Sequence, residues 1–211
     1  MKSIIKNILG DEFFYNNIKE IRRSVVGCET FLDLGCGSES PYIKYIHEDC
    51  HKATGVDLYA KIKPGYDEIV RKDVLDFIKD VPDKSYDAVL GFDIVEHFNK
   101  KDSINLINEM QRIAAKVVVI VTPNGFWPGM INGPGQDHLC GVSYTEFKEA
   151  GFKVWGGGGM SFLRSKNHSF LKGFGTLSTL PFQMFVFNFS QIVAKKNPHL
   201  AYGVCAIKKI N

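Results

Sequence analysis

The chain has no Cys-x-x-Cys pair, and its five cysteines (Cys28, Cys36, Cys50, Cys140 and Cys205) are odd in number. Both facts argue against a thiolate zinc cluster or a disulfide framework, and predict reduced thiols in a cytoplasmic setting. No basic run exceeds two residues and the net charge is only +3, so nucleic acid is not an expected partner. The N-terminal stretch MKSIIKNILGDEFF holds too short an apolar patch for a signal peptide, and acids follow at once. No internal repeat or low-complexity linker interrupts the sequence. One further absence is local: residues 173–194, GFGTLSTLPFQMFVFNFSQIVA, carry no charged side chain.

What is present is a chain of 211 residues, 45% hydrophobic, enough to bury one sizeable core. The patterning alternates. Apolar residues recur at helical spacing in 11–25 (Phe14, Ile18, Ile21, Val25), short apolar or β-branched runs at 30–35, 52–59, 86–93 and 116–125 read as strands, and 68–77 holds a further short strand followed by a turn. Ser40 before Pro41 predicts a helix start near 40–49, and 102–115 reads as a helix with Ile104, Ile107 and Ile113 on one side. Ser143 and Glu146 are spaced as a capping box, with Gly151 closing that helix. Two final strands, 152–157 and 200–209, bracket the uncharged segment. Strands alternating with helices predict an α/β fold with a mostly parallel, doubly wound sheet. The expected organisation is a single domain over 1–211, with an apolar helical insertion at about 160–197.

The stretch LDLGCGSES runs a strand into Gly35-Cys36-Gly37 and then into a helix. Glycines let the backbone turn sharply and approach a ligand closely. A dinucleotide fingerprint wants a third small residue, Gly or Ala, where Ser40 stands, which argues against a bound pyrophosphate. A bare GxG also suits a plain structural turn. Its context points to a ligand: Asp57 ends the next strand about twenty residues on, where an acid accepts both ribose hydroxyls. Asp73 and the Val74 N–H follow the third strand, placed for an adenine. An adenosine with a compact, non-phosphate tail fits that set.

FLDLGCGSE, GVDLY, KDVLDF, YDAVLGFDIVEHF and VVVIVTPNG stand in the order in which the class I S-adenosylmethionine-dependent methyltransferases carry their motifs. From about residue 28 to 156 the chain resembles that family. The resemblance implies a Rossmann-like, seven-stranded mixed sheet with the last strand antiparallel. It implies S-adenosylmethionine held by Asp33, Gly35 and Gly37 at the methionine end, by Asp57 at the ribose, and by Asp73 and Val74 at the adenine. Phe92 and Asp93 would line the same pocket.

GFDIVEHF follows the fourth strand and places Asp93, Glu96 and His97 close together, while Asp137-His138 lies in the loop after the fifth. Both clusters are expected at the ligand-binding edge, facing each other. If the segment turns helical, positions i, i+3 and i+4 share a face. The pattern resembles small-RNA 3′-terminal 2′-O-methyltransferases, with Asp93 replacing a glutamate, and ubiquinone-pathway O-methyltransferases. This implies a divalent metal ion held by Asp93, Glu96, His97 and His138. The alternatives are metal-free catalysis by His138, His97 and Glu96, or a structural role in which Glu96 caps a helix and His97 bonds the strand-five loop.

The expected function is methyl transfer to a hydroxyl of a small-molecule or glycan-like acceptor, since TPNGFWP…QDHL…AGF resembles family members of bacterial polysaccharide biosynthesis. Its rivals are a metal-assisted RNA 2′-O-methyltransferase and a non-catalytic cofactor-binding scaffold. In the uncharged segment, Phe182, Phe185, Phe189 and Val193 fall at helical spacing. This predicts a helix packed on the domain or on a homodimer partner, with a membrane-peripheral helix over 173–194 as the alternative.

Overall fold

The computed structural model describes residues 17–37, 43–46, 52–61, 65–128, 137–161 and 180–210. Seven strands form one sheet: β1 (Thr30–Leu34), β2 (Lys52–Val56), β3 (Glu68–Val70), β4 (Tyr86–Phe92), β5 (Ala114–Pro123), β6 (Lys153–Met160) and β7 (Ala201–Lys209). Their order is β3-β2-β1-β4-β5-β7-β6. The first five strands pair in parallel, and β7 runs antiparallel to both β5 and β6. This is the doubly wound mixed sheet expected from the strand–helix alternation.

The helices are α1 (residues 17–24), α2 (Ile43–Ile46), α3 (Val74–Phe77), α4 (Lys100–Ile113), α5 (Tyr144–Glu149) and α6 (Leu180–Lys196). The period-2 alternation of strands sends successive side chains into two cores, one on each face of the sheet. Val118 and Ile120 of β5 join Leu106, Ile107, Met110 and Ile113 of α4. Val117, Val119 and Val121 join Ile21 and Val25 from the α1 side.

Local chemistry sets the helix ends. The Asn99 side chain accepts from the Asp102 N–H and starts α4. The capping box of Ser143 and Glu146 starts α5. Two expectations need correction. Ile104 is 37% exposed, so the buried stripe of α4 is Ser103, Leu106, Ile107, Met110 and Ile113. The reason is angular: 106, 107, 110 and 113 share one arc of a 3.6-residue helix, and 104 lies off it. The predicted N-cap at Ser40, the helix residues before Asn17, and Cys50 lie outside the described residues.

The uncharged segment does contain a helix, α6, but the described part of its buried face is not the aromatic one. Ser190, Gln191 and Ala194 are buried while Phe189 and Ile192 stand 55% and 61% exposed. Small and polar residues face inward because β6 meets them with glycine. Gln191 Oε1 accepts from the Gly159 N–H at 2.9 Å. A Cβ added to Gly156 would sit 2.1 Å from the Ala194 carbonyl oxygen and 2.7 Å from the Ala201 Cβ. Among the described residues no helix is long and apolar enough to cross a membrane.

That contact makes a stability prediction. Gly156→Val forces α6 away from β6, and overpacking of this kind costs about 2–3 kcal/mol or more. Thermal unfolding is expected about 5 °C or more lower in the variant. An unchanged melting temperature would mean that α6 does not rest on β6.

Candidate active site

The sheet reverses its winding between β1 and β4. Ligands of open α/β sheets bind at such a point, beyond the carboxyl ends of the strands. Two segments meet there, the glycine turn after β1 and the turn after β4. Gly35 and Gly37 have φ of +74° and +59°, a region where only glycine is unstrained. A Cβ on Gly35 would also lie 2.7 Å from Ile94 Cδ1. The two turns therefore pack against each other with no room for a side chain.

Beside the turn, the half-buried Asp57 carboxylate is already oriented. Its Oδ2 accepts from the Gly37 N–H at 3.0 Å and its Oδ1 from the Tyr59 N–H at 2.6 Å. Each oxygen has a further lone pair to offer. Asp33 is buried at 1% exposure and accepts from the Tyr66 hydroxyl. Asp73 caps α3 through one oxygen, Oδ1, which accepts from the Leu75 and Asp76 N–H groups, and Val74 follows at 5% exposure. Phe92 ends β4, buried.

After β4 the chain does not form an α-helix. Asp93 takes a left-handed φ of +49° and Val95–His97 make a single 3-10 turn. Asp93 is consequently exposed while Glu96 is buried at 1% exposure, so the two acids do not share a face. Thr122, at the end of β5, donates its hydroxyl to Glu96 Oε2 at 2.9 Å. Glu96 Oε1 is buried and has no hydrogen-bond partner. Burial pushes the Glu96 carboxyl up to about 7, against the opposing pull of the Thr122 hydrogen bond. Asp93 is raised as well, by desolvation in the surrounding protein and by the Glu96 charge. Solvent reaches Asp93, however, so Glu96 is the acid whose proton is truly held by burial.

The 137–142 segment is tied to this turn. The Glu96 carbonyl accepts from the Leu139 N–H at 2.9 Å and the Cys140 N–H at 3.2 Å. A Cβ on Gly141 would fall 2.1 Å from the Phe126 nitrogen, so this segment presses on the chain leaving β5. His97 and His138 meet as a result, ring centroids 5.1 Å apart at 74°. His97 Nδ1 lies 3.1 Å from the Asp137 carbonyl oxygen and His138 Nδ1 2.7 Å from that of Trp127. A carbonyl can only accept, so both Nδ1 atoms carry a proton, which leaves Nε2 as the nitrogen of each ring able to offer a lone pair. One ligating atom from each of Glu96, His97 and His138 lies within 4.8 Å of the other two. Asp93 is outside that group, and Asp137 takes part through its carbonyl, its side chain being exposed.

Residues 32–121 match a family model described as a methyltransferase domain. The chain thus carries a methyltransferase-domain match over part of its length, and its further likeness to methyltransferases is one of fold. It shares its fold with a SAM-dependent methyltransferase from Archaeoglobus fulgidus, at 19% identity over 96% of this chain and 99% of that one, with a TM-score of 0.55. A 1,6-didemethyltoxoflavin-N1-methyltransferase from Burkholderia thailandensis gives 12% identity over 98% and 82%, with a TM-score of 0.54. The N-methyltransferase NodS from Bradyrhizobium japonicum WM9 gives 12% identity over 94% and 96%, with a TM-score of 0.52. No curated protein matches the sequence.

The fold is similar to that of a methyltransferase that depends on S-adenosylmethionine. The residues of this chain fit that molecule on their own chemistry. The Asp57 oxygens are held in place by backbone N–H groups and suit a vicinal diol. The spare oxygen of Asp73, beside the Val74 N–H, suits an aminated ring, and the glycine turn leaves the space that side chains would otherwise fill. The segments that flank the Glu96 cluster carry two exposed apolar side chains, Phe126 at 60% and Leu139 at 62% exposure.

Sequence reasoning missed Thr122, Tyr66, Ile94 and Gly141. Thr122 stood in the TPN run already singled out, and a hydroxyl closing a β-branched strand at the ligand edge is a signal of sorts. Nothing in the sequence ties Tyr66 to Asp33 or Gly141 to Phe126. Of the aromatics in the strand-five loop, Trp127 packs on Tyr202, with ring centroids 4.8 Å apart. Cys36 is buried against the sheet, His199 is exposed, and His168 lies outside the described residues. The described cysteines, Cys28, Cys36, Cys140 and Cys205, are buried, and burial pushes the Cys28 and Cys205 thiols up, the opposite of a reactive thiol.

Proposed function

We propose that the protein methylates a hydroxyl of a small-molecule or glycan-like acceptor, and that Glu96, His97 and His138 hold that hydroxyl through a divalent metal ion. One observation carries the reading. Three electron-pair donors converge at the strand edge, two of them imidazoles whose other nitrogen is fixed by a carbonyl, the third a buried carboxylate with an unpartnered oxygen. Electron pairs brought together without a donor between them call for a cation. Carboxylate with imidazole suits Mg²⁺, Mn²⁺ or Zn²⁺.

In this reading Asp57 takes the ribose hydroxyls of S-adenosylmethionine, Asp73 and Val74 its adenine, and Asp33 and the Gly35–Gly37 turn its methionine end. Phe92 and Asp93 line the same pocket, so Asp93 serves the cofactor side rather than the metal. S-adenosylmethionine supplies an already activated methyl group. What remains for this chain is alignment and charge handling. A metal ion held by Glu96, His97 and His138 would lower the proton affinity of the acceptor oxygen, and the exposed Phe126 and Leu139 would cover an apolar part of the acceptor. The related N-methyltransferases named above share the fold at 12% identity, and the oxygen is assigned from the donor set alone. The same donor set serves an RNA 2′-hydroxyl, but a net charge of only +3 does not favour a polyanionic acceptor.

Chelation tests the reading. Treatment with EDTA followed by desalting is expected to abolish methyl transfer to hydroxylated acceptor pools, and Mg²⁺, Mn²⁺ or Zn²⁺ to restore it. Full activity in EDTA, lost in His138→Ala, would replace the metal with a general base. Transfer only to amines would overturn the oxygen assignment.

A further inference from the structure

A second cleft lies at the opposite edge of the sheet. Residue Lys209 of β7 pairs with Val117 near the start of β5, whereas the active site follows the ends of β4 and β5. The cleft has a volume of about 770 Å³, and its lining includes Glu20, Arg23, Lys153, Trp155, Lys208 and Lys209. Four basic residues thus line the cleft with one acid, and that acid is committed: Glu20 Oε1 pairs with Lys195 at 3.0 Å. Among the described residues Arg23 and Lys209 have no ion-pair partner, and both are exposed.

The remaining cations are held in place rather than left to swing away. Lys208 Nζ donates to Gln111 Oε1 at 2.6 Å and to the Ala150 carbonyl at 2.8 Å. Lys153 Nζ sits 5.3 Å from the ring centroid of the half-buried Trp155. Holding like charges together costs free energy unless an anion joins them. An Arg fork beside several Lys point charges suits phosphate oxygens, and an indole wall suits a planar ring. The volume is that of a small-molecule pocket.

We propose that this cleft binds a phosphate-bearing small molecule with a planar ring, of the nucleoside diphosphate class. The site is separate from the active site and independent of the acceptor assignment.

Calorimetry on the full chain with UDP tests it, in saturating S-adenosylhomocysteine so that the cofactor pocket is filled. UDP is expected to bind, with uridine and inorganic phosphate each at least tenfold weaker. The double variant Arg23→Ala/Lys209→Ala, both exposed positions, is expected to lose tenfold or more. In a Trp127→Phe background Trp155 is the sole indole, and UDP is expected to quench its fluorescence. Absence of UDP binding, or UDP binding undiminished in the double variant, would overturn the proposal. So would inorganic phosphate binding as tightly as UDP, which would leave a simple anion site.

Discussion

Glu96→Gln is expected to lower methyl transfer about 100-fold or more, while S-adenosylmethionine affinity stays within about threefold. The substitution keeps the shape of the side chain, and its amide oxygen can still accept from Thr122. What it removes is the negative charge of a buried carboxylate that stands beside His97 and His138. Loss of kcat with cofactor binding intact is the signature of a group acting on the acceptor. A kcat within about threefold of wild type would remove Glu96 from the chemistry.

The same variant reports on folding. Burial lifts the Glu96 carboxyl from an ordinary 4.5 to about 7 in the folded chain. In protein stripped of divalent ions, the folded state then holds a proton that the unfolded chain has released at intermediate pH. Stability is therefore greatest below pH 4.5 and falls as pH rises through 7, by on the order of 3 kcal/mol from this one group. Glu96→Gln is expected to flatten that slope and to raise stability near neutral pH in chemical denaturation. An unaltered slope would mean that the carboxylate is better solvated than its burial implies.

Asp57→Ala is expected to weaken S-adenosylmethionine binding about 100-fold or more. Hydrogen bonds from hydroxyls to a charged carboxylate are worth about 1.5–3 kcal/mol each, and two are lost together. The variant also releases the Gly37 and Tyr59 N–H groups that the carboxylate now holds, so the glycine turn loses a support. Asp57→Asn, which keeps one acceptor oxygen, is expected to fall between. Unchanged calorimetric affinity in Asp57→Ala would overturn the placement of the ribose.

Much of this was legible in the sequence, for reasons that can be named. β-branched runs such as 116–121 have one good backbone conformation, and the Ser143/Glu146 capping box is local chemistry. Glycine at 35 and 37, straight after a strand, signals a sharp turn, and both positions are left-handed. The order of strand, GxG turn and strand-ending acid restricts the sheet to a few topologies, because crossovers between parallel strands have one hand. The α6 register was less legible. Phe189 appeared as a core position at helical spacing, yet it is exposed, since the sheet surface opposite α6 is paved with glycine and accepts only small side chains.

By itself, then, the sequence determined the alternation of strands and helices, the glycine turn with Asp57 and Asp73 in register behind it, and the presence of two acid–histidine pairs near strand ends. Tertiary structure alone decided what those pairs do. β4 and β5 are parallel neighbours, so their following turns emerge side by side. Gly141 allows the second turn to press against the chain leaving β5, and the left-handed Asp93 swings that acid outward while Glu96 goes in. Thr122 then satisfies one Glu96 oxygen and burial raises the other. Each of these is a contact between residues 15 to 50 positions apart, on the order of the longest loops chain entropy readily closes, and no local pattern carries such information.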